Sequence, residues 1–310
     1  MKLAFVFPGQ GSQSIGMMNG FAAHPVVRET FAEASDALGE DLWALVENGP
    51  QEALALTTNT QPIMLTAGIA AWRAWQASGG PKPVVMAGHS LGEYTALVAA
   101  GALAFRDALP LVRFRAQAMQ DAVPPGVGAM AAIMGGDDGA VLLACSEAAQ
   151  GQVCEAVNFN APGQLVIAGH KEAVERAIGL ARMKGAKRGV MLPVSAPFHS
   201  TLLRSAADQL AARLAEVRID SPRIPVIHNV DVEQHRDHDE IRHALARQAC
   251  HPVHWTATVR AMADLGVTHI VECGPGKVLA GLTKRIADQI PTYSLNDSDA
   301  IEAALAELKA

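Results

Sequence analysis

Short apolar runs alternate along much of the chain with longer segments in which apolar residues recur at helical spacing. Two early runs, Leu3–Phe7 and residues 84–87, each end within two residues of a glycine. Runs of this length, bounded by turn residues, predict strands buried on both faces. Helical spacing is found at residues 21–38, 62–75, 93–103 and 106–120. Strands that alternate with helices indicate a parallel α/β sheet.

The order of elements changes after Pro124-Pro125-Gly126. The next pattern predicts strand, helix, strand, strand, helix and strand at residues 127–134, 137–149, 153–158, 164–168, 171–184 and 188–194. This order is typical of a ferredoxin-like unit. Alternation resumes after residue 200, with strands expected at 225–229, 269–273 and 292–295 and helices between them. We therefore expect one large α/β domain, residues 1–125 and 197–310, interrupted by a ferredoxin-like subdomain, residues 126–196.

Composition excludes several classes of protein. The chain has 310 residues, of which 50% are hydrophobic and 18% charged. This length and composition are sufficient for a hydrophobic core and exclude an intrinsically disordered chain. A net charge of −6 without a basic stripe argues against nucleic-acid binding. The four cysteines fit no zinc pattern, so no metal site is expected. No apolar run is long enough for a signal peptide or membrane span, and we expect a cytoplasmic protein.

The pentapeptide Gly88-His89-Ser90-Leu91-Gly92 matches G-x-S-x-G. The motif requires a strand before it and a helix after it, and both are predicted here. Its glycines allow a sharp turn that would present the Ser90 hydroxyl at a helix N-terminus, where backbone N–H groups favour an oxyanion. The motif thus favours Ser90 as a nucleophile. The alternative is an ordinary glycine-rich turn with a capping serine.

A serine nucleophile needs a base, and the chain has eleven histidines. Six of them lie between residues 228 and 254 in mostly polar surroundings. His199 instead follows the last predicted strand of the insert and precedes a helix, where a sheet presents catalytic side chains. This placement favours His199 as the base. A capping or exposed loop histidine is the alternative.

The loop Gly9-Gln10-Gly11 follows the first predicted strand. It narrowly misses the dinucleotide pattern G-x-G-x-x-G because residue 14 is serine, and the acid at the expected distance, Glu29, lies in a predicted helix. A better interpretation places Gln10 at the same rim as Ser90, where its backbone N–H would be a second oxyanion donor.

Arg113 and Arg115 lie two residues apart on a predicted helix, so they face roughly opposite sides and at most one points into a pocket. An arginine facing the serine would bind a substrate carboxylate through two parallel N–H bonds. The alternative is a surface ion pair, and the sequence alone does not choose.

Four motifs occur together and in order: Phe7-Pro8-Gly9-Gln10-Gly11-Ser12-Gln13, Gly88-His89-Ser90-Leu91-Gly92-Glu93, Ala196-Pro197-Phe198-His199-Ser200 and Glu272-Cys273-Gly274-Pro275-Gly276-Lys277. From residue 2 to about 290, the chain strongly resembles the malonyl-CoA:acyl carrier protein transacylases of type II fatty acid synthesis and the acyltransferase domains of polyketide synthases. The resemblance implies an α/β-hydrolase-like core with a ferredoxin-like insert, in agreement with the pattern of elements.

The resemblance also implies roles for individual residues. Ser90 would be the nucleophile and His199 the general base. Gln10 and Leu91 would supply oxyanion N–H groups. Arg115 would pair with the malonyl carboxylate.

Further implications concern specificity and partners. The carbonyl at Gln248 would orient the histidine, so no acid is expected as a third member. The pair Phe198-His199 resembles the malonyl-selective pattern, in which the aromatic ring leaves little room for a branched acyl group. Malonyl-CoA and phosphopantetheinylated acyl carrier protein would be the substrates, acyl carrier protein the partner, and no cofactor is expected. We expect a monomer that supplies fatty acid biosynthesis.

Other functions remain open at this stage. An esterase or thioesterase would use the same serine, and a nucleotide-binding protein would use the Gly9–Gly11 loop. Within the resembling family, a stand-alone polyketide acyltransferase or a malonate decarboxylase subunit would carry the same motifs.

Overall fold

The computed structural model describes residues 1–309, without the side chain of the last of these. The strands within this range are β1 (Leu3–Phe7), β2 (Val85–Gly88), β3 (Gly128–Met134), β4 (Cys154–Ala161), β5 (Gln164–His170), β6 (Arg188–Met191), β7 (Val226–Ile227), β8 (His269–Cys273) and β9 (Thr292–Leu295). The helices are α1 (Pro25–Leu38), α2 (Leu42–Asn48), α3 (Gln51–Ala55), α4 (Thr57–Ala77), α5 (Leu91–Ala99), α6 (Phe105–Asp121), α7 (Asp138–Ala149), α8 (Lys171–Met183), α9 (Arg204–Ala215), α10 (His238–Gln248), α11 (Trp255–Asp264), α12 (Val278–Ile286) and α13 (Ser298–Lys309).

A five-stranded parallel sheet forms the large region, in the order β7-β2-β1-β8-β9. Central strand β1 is buried throughout, as its wholly apolar sequence predicts. Phe5 packs against the indoles of Trp72 and Trp75 on α4, with ring centroids 5.1 and 5.4 Å apart. Val6 points to the opposite core, which α11 and α12 cover. Helices therefore enclose both faces of the sheet.

A four-stranded antiparallel sheet forms the small region, in the order β4-β5-β3-β6. Helices α7 and α8 cover one face, with a core of its own around Ile133 and Val174. The other face, through Met130 and Val166, joins the core of the large region. The expected fold class, a parallel α/β core with a small βαββαβ unit, is confirmed. The domain boundaries at residues 126 and 196 stay a prediction.

Several element boundaries differ from the sequence-based ones. The helix expected at residues 93–103 begins at Leu91 and ends at Ala99, because Gly101 takes a left-handed turn with φ 75°. Helix α4 starts at Thr57, five residues before the expected Pro62. The strand expected at 188–194 stops at Met191.

Other differences are a split and an omission. The helix expected from residue 21 is divided into a 3₁₀ turn, Asn19–Phe21, and α1. The pattern missed α2 and α3, which have seven and five residues and are too short for a periodicity signal. No helix in the described range is long and apolar enough to cross a membrane.

Candidate active site

The turn between β2 and α5 places Ser90 in a strained backbone conformation, with φ 52° and ψ −109°. Glycines make this turn possible. A Cβ at Gly88 would overlap the backbone of Gly92, and a Cβ at Gly92 would overlap the carbonyl of Phe7. Backbone in sparsely populated regions clusters at functional sites, since only a demanding surrounding structure maintains it. The local sequence thus explains why the serine hydroxyl stands out from the sheet.

Ser90 and His199 form a hydrogen-bonded pair. The Ser90 Oγ lies 2.7 Å from His199 Nε2, and His199 Nδ1 lies 2.7 Å from the main-chain oxygen of Gln248. Because a carbonyl oxygen can only accept, Nδ1 carries the proton and Nε2 is free to accept the serine proton. Gln248 is the last residue of α10, so its carbonyl is not used within the helix.

Burial keeps the imidazole neutral. His199 is 4% exposed, and burial, aided by the Arg115 charge, lowers the pKa of His199 from 6.5 to about 3. A neutral imidazole is the form that can take a proton, so His199 is able to accept one at neutral pH. A negative group placed next to Arg115 would reduce one of the causes of this shift.

Arg115 is a buried cation beside Ser90. Its guanidinium donates to Gln61 Oε1 at 2.7 Å, to Gln248 Oε1 at 2.8 Å and to Ser90 Oγ at 3.1 Å. In the described part of the chain no carboxylate forms an ion pair with it, and the buried Glu93 reaches it only through the side chain of Gln248. Buried charges are normally paired. The site is therefore suited to an anionic group on the substrate.

Arg113 lies at the surface, where it forms an ion pair with Glu40. The two arginines thus face opposite sides of α6, as their spacing predicts, and it is Arg115 that lines the cavity.

Gln10 and Leu91 lie beside Ser90. The loop after β1 packs onto the turn so closely that a Cβ on Gly9 would stand 2.5 Å from the His89 oxygen and 3.8 Å from the Leu91 nitrogen. Within residues 1–309, neither the Gln10 nor the Leu91 main-chain N–H donates to a protein acceptor. Two N–H groups without an acceptor beside Ser90 are able to donate hydrogen bonds to an oxyanion.

A cavity over Ser90 lies between the two sheets. The large region supplies Gln10, Gln61, His89, Ser90, Leu91, Arg115, Met119, Phe198 and His199. The small region supplies Met130, Asn158, Leu192 and Val194. All the proposed catalytic side chains except Gln248, whose carbonyl acts through the histidine, therefore line one cavity.

Sequence reasoning missed several polar residues around this cavity. Gln61 holds Arg115, and Asn160 Oδ1 on β4 accepts from His89 Nε2 at 2.8 Å. Glu93 and Asn229 lie behind Ser90 in a buried network. Glu93 carried a signal, because it directly follows the serine motif on the face of a helix that turns inward. The others carried none.

One exposed cluster of side chains has the residue types of a metal site. Asp237, His238 and Asp239 lie together at the start of α10, and Asp237 caps that helix by accepting from the N–H groups of residues 239 and 240. A capping role explains this acid without an ion.

A family model described as an acyl transferase domain matches residues 4–305. The chain belongs to this acyl transferase family, and the resemblance based on four motifs is confirmed. The malonyl CoA-acyl carrier protein transacylase of Escherichia coli K12 is 57% identical over 305 residues, which cover 98% of this chain and 99% of that relative. The protein of the same name from Bacillus subtilis strain 168 is 43% identical over 310 residues, covering 99% and 98%.

Solved structures give the same result. The acyl-carrier-protein S-malonyltransferase of Burkholderia pseudomallei superposes with a TM-score of 0.97 at 60% identity, covering 99% of this chain and 100% of that one. A malonyl-transacylase solved in complex with a type II PKS acyl-carrier protein superposes with a TM-score of 0.98 at 52% identity, again covering 99% and 100%.

Proposed function

We propose that this chain transfers the malonyl group from malonyl-CoA to the phosphopantetheine thiol of acyl carrier protein through a malonyl-serine intermediate, and so supplies fatty acid biosynthesis. The observation that carries the proposal is Arg115, a buried cation 3.1 Å from the nucleophilic oxygen. The names of the full-length relatives support the same substrates and partner. The reaction as proposed needs no resident cofactor.

The first half-reaction acylates Ser90. His199 Nε2 accepts the proton of the Ser90 hydroxyl as Oγ attacks the thioester carbon. The carbonyl oxygen becomes an oxyanion that the N–H groups of Gln10 and Leu91 stabilise. As the carbonyl re-forms, the C–S bond breaks and the proton on His199 passes to the leaving thiolate, releasing coenzyme A.

The second half-reaction reverses these roles. The thiol of the carrier's phosphopantetheine gives its proton to His199, and its sulfur attacks the malonyl-serine ester. Collapse of the second tetrahedral intermediate breaks the bond to Ser90 Oγ, which regains its proton from His199. Because coenzyme A leaves while the malonyl group stays on Ser90, and the carrier reacts only afterwards, the kinetics should be ping-pong.

Arg115 binds the malonyl carboxylate through two parallel N–H bonds in this proposal. Gln61 Oε1 and Gln248 Oε1 each accept from one terminal nitrogen of the guanidinium and hold it in place. A rigidly held fork selects for a carboxylated acyl group and fixes the intermediate against rotation.

Intact-mass spectrometry after exposure to malonyl-CoA tests the covalent step. We expect one malonyl adduct on the native protein and none on Ser90→Ala. A native protein that acquires no adduct would contradict the proposal. Incubation with malonyl-CoA and without carrier distinguishes a hydrolase, which would release free malonate rapidly.

A polyketide carrier is the second candidate acceptor. The structure that superposes with a TM-score of 0.98 contains a type II PKS carrier, which favours this possibility specifically. Malonylated native protein, offered equal amounts of a fatty acid carrier and a polyketide carrier, should malonylate the fatty acid carrier faster. The reverse order would assign the chain to polyketide synthesis.

A further inference from the structure

Side-chain amides hold both main-chain polar groups of the strained nucleophile. The Ser90 N–H donates to Asn229 Oδ1 at 2.7 Å, and Gln248 Nε2 donates to the Ser90 carbonyl oxygen at 2.9 Å. Neither bond belongs to a helix or sheet ladder. They act on the residue whose φ of 52° no regular element would maintain.

Asn229 bridges the whole turn. While its Oδ1 accepts from Ser90, its Nδ2 donates to the Gly88 carbonyl oxygen at 2.7 Å. These two residues flank His89, so one carboxamide connects the end of β2 to the nucleophile. Asn229 is fully buried and follows β7, the strand that pairs with β2. The sheet itself therefore positions the amide.

A buried carboxylate anchors both amides. Glu93 Oε2 accepts from the Asn229 main-chain N–H and from Gln248 Nε2, each at 2.9 Å. Glu93 Oε1 lies 2.7 Å from His228 Nδ1. Glu93 belongs to the first turn of α5, the helix that Ser90 precedes, so the network closes on the same turn that it holds.

We propose that Asn229 is a positioning residue for the proposed acyl transfer: its carboxamide keeps Ser90 in the conformation that points Oγ at His199. The choice of malonyl-CoA as substrate rests on the proposed function, whereas the hydrogen bonds of Asn229 do not depend on it. Strain of this kind persists only where the surroundings over-determine the backbone. Without the amide, the turn would relax and the 2.7 Å contact between Oγ and Nε2 would be lost.

The first test is Asn229→Ala, with Arg176→Ala as the matched control. Arg176 also bonds main-chain carbonyls, those of residues 148 and 149, but does so in the small region. For Asn229→Ala we expect kcat for acylation by malonyl-CoA to fall about 100-fold with KM changed less than about threefold, since misplacement by an ångström has effects of this size. The control should keep kcat. Wild-type kcat in a folded Asn229→Ala would overturn the proposal.

The second test uses protonation as a rescue. In Asn229→Asp, a protonated carboxyl offers an O–H to the Gly88 oxygen and a carbonyl oxygen to the Ser90 N–H, which reproduces both bonds. The ionised form can make only one. Other ionisable groups surround this position: Glu93 on α5, His228 after β7, and Arg115 and His199 beside Ser90. To cancel their own pH dependence, every rate is divided by the wild-type rate at the same pH.

We expect the relative activity of Asn229→Asp to rise at least about tenfold from pH 8 to 5.5, while that of Asn229→Ala stays constant. A flat ratio for the Asp variant would overturn the inference, and this ratio decides even where the Ala variant fails to fold.

The rate of labelling by a small fluorophosphonate supplies a readout that needs no malonyl group. It should fall in Asn229→Ala alongside kcat. If the native protein reacts with the fluorophosphonate but not with malonyl-CoA, the proposed function fails while the positioning role is still measured.

Discussion

The two regions that face each other across the cavity contribute different chemistry. Of the described residues lining it, all those that carry or can accept a charge come from the large parallel-sheet region: Arg115, His89 and His199. The small antiparallel-sheet region contributes an apolar wall and one amide: Met130, Leu192, Val194 and Asn158. Hydrogen bonds at fixed angles hold the first set, and packing holds most of the second. The large region should therefore control the rate, and the small region should control which acyl groups fit.

The strongest test of this division is His199→Ala. Loss of the base should lower the rate of coenzyme A release by about 10³-fold, within the usual range for general bases. The single-turnover rate with malonyl-CoA measures it. A loss of less than about tenfold would remove His199 from the proposed role.

The pH dependence of native activity sharpens the same point. In its proposed role as the base, His199 must be neutral. Because its pKa is lowered to about 3, we expect activity to be kept above that pH and lost only as pH falls through it. We expect kcat/KM, which reports the free enzyme, to show no inflection near 6.5. In the malonyl complex the carboxylate offsets the Arg115 charge, so the acid limb of kcat should lie at higher pH. An acid limb of kcat below that of kcat/KM would contradict this.

Arg115→Ala should lower the preference for malonyl-CoA over acetyl-CoA by about 100-fold, since two charge-assisted bonds are lost. Competition between the two thioesters for Ser90, followed by mass spectrometry, measures the preference. Arg113→Ala is the matched control, because it removes the same side chain from the opposite, surface face of α6. Unchanged preference in Arg115→Ala would refute its role as the carboxylate partner.

Phe198→Ala should change only the size of the acyl group that the cavity accepts. Removal of the ring beside His199 makes room for a methyl branch, so discrimination against methylmalonyl-CoA should fall about tenfold, a value typical of one methyl group in an apolar pocket. The ratio of kcat/KM for the two thioesters is the measurement. An equal loss with both substrates would instead indicate a disturbed His199.

Leu192→Ala should have the smallest effect. Its side chain belongs to the small region's wall, so we expect KM to rise about threefold with fluorophosphonate labelling of Ser90 unchanged. Leu142→Ala, on the exposed face of α7 in the same region, is the control and should change neither. A large fall in Ser90 reactivity in Leu192→Ala would break the division between the two regions.

The sequence predicts those features of the site that depend only on residues close together along the chain. The motif around Ser90 carries its own turn, and the spacing of Arg113 and Arg115 carries their opposite orientation, so both were accessible from the sequence. Asn229 was not, because its bond to Ser90 spans 139 positions and exists only once β7 pairs with β2. The contact between Gln61 and Arg115 likewise spans 54 positions. No periodicity encodes contacts of this kind.

The position of β1 has a consequence for the order of events during synthesis. β1 emerges first but forms the centre of the sheet, where Leu3 pairs with His269 across almost the whole chain. At about 5–20 residues per second, its β8 edge remains unpaired for on the order of 10–50 s after translation of β1. A nascent chain therefore exposes an apolar strand edge until β8 has been made. This makes the interval before β8 appears the period of greatest aggregation risk.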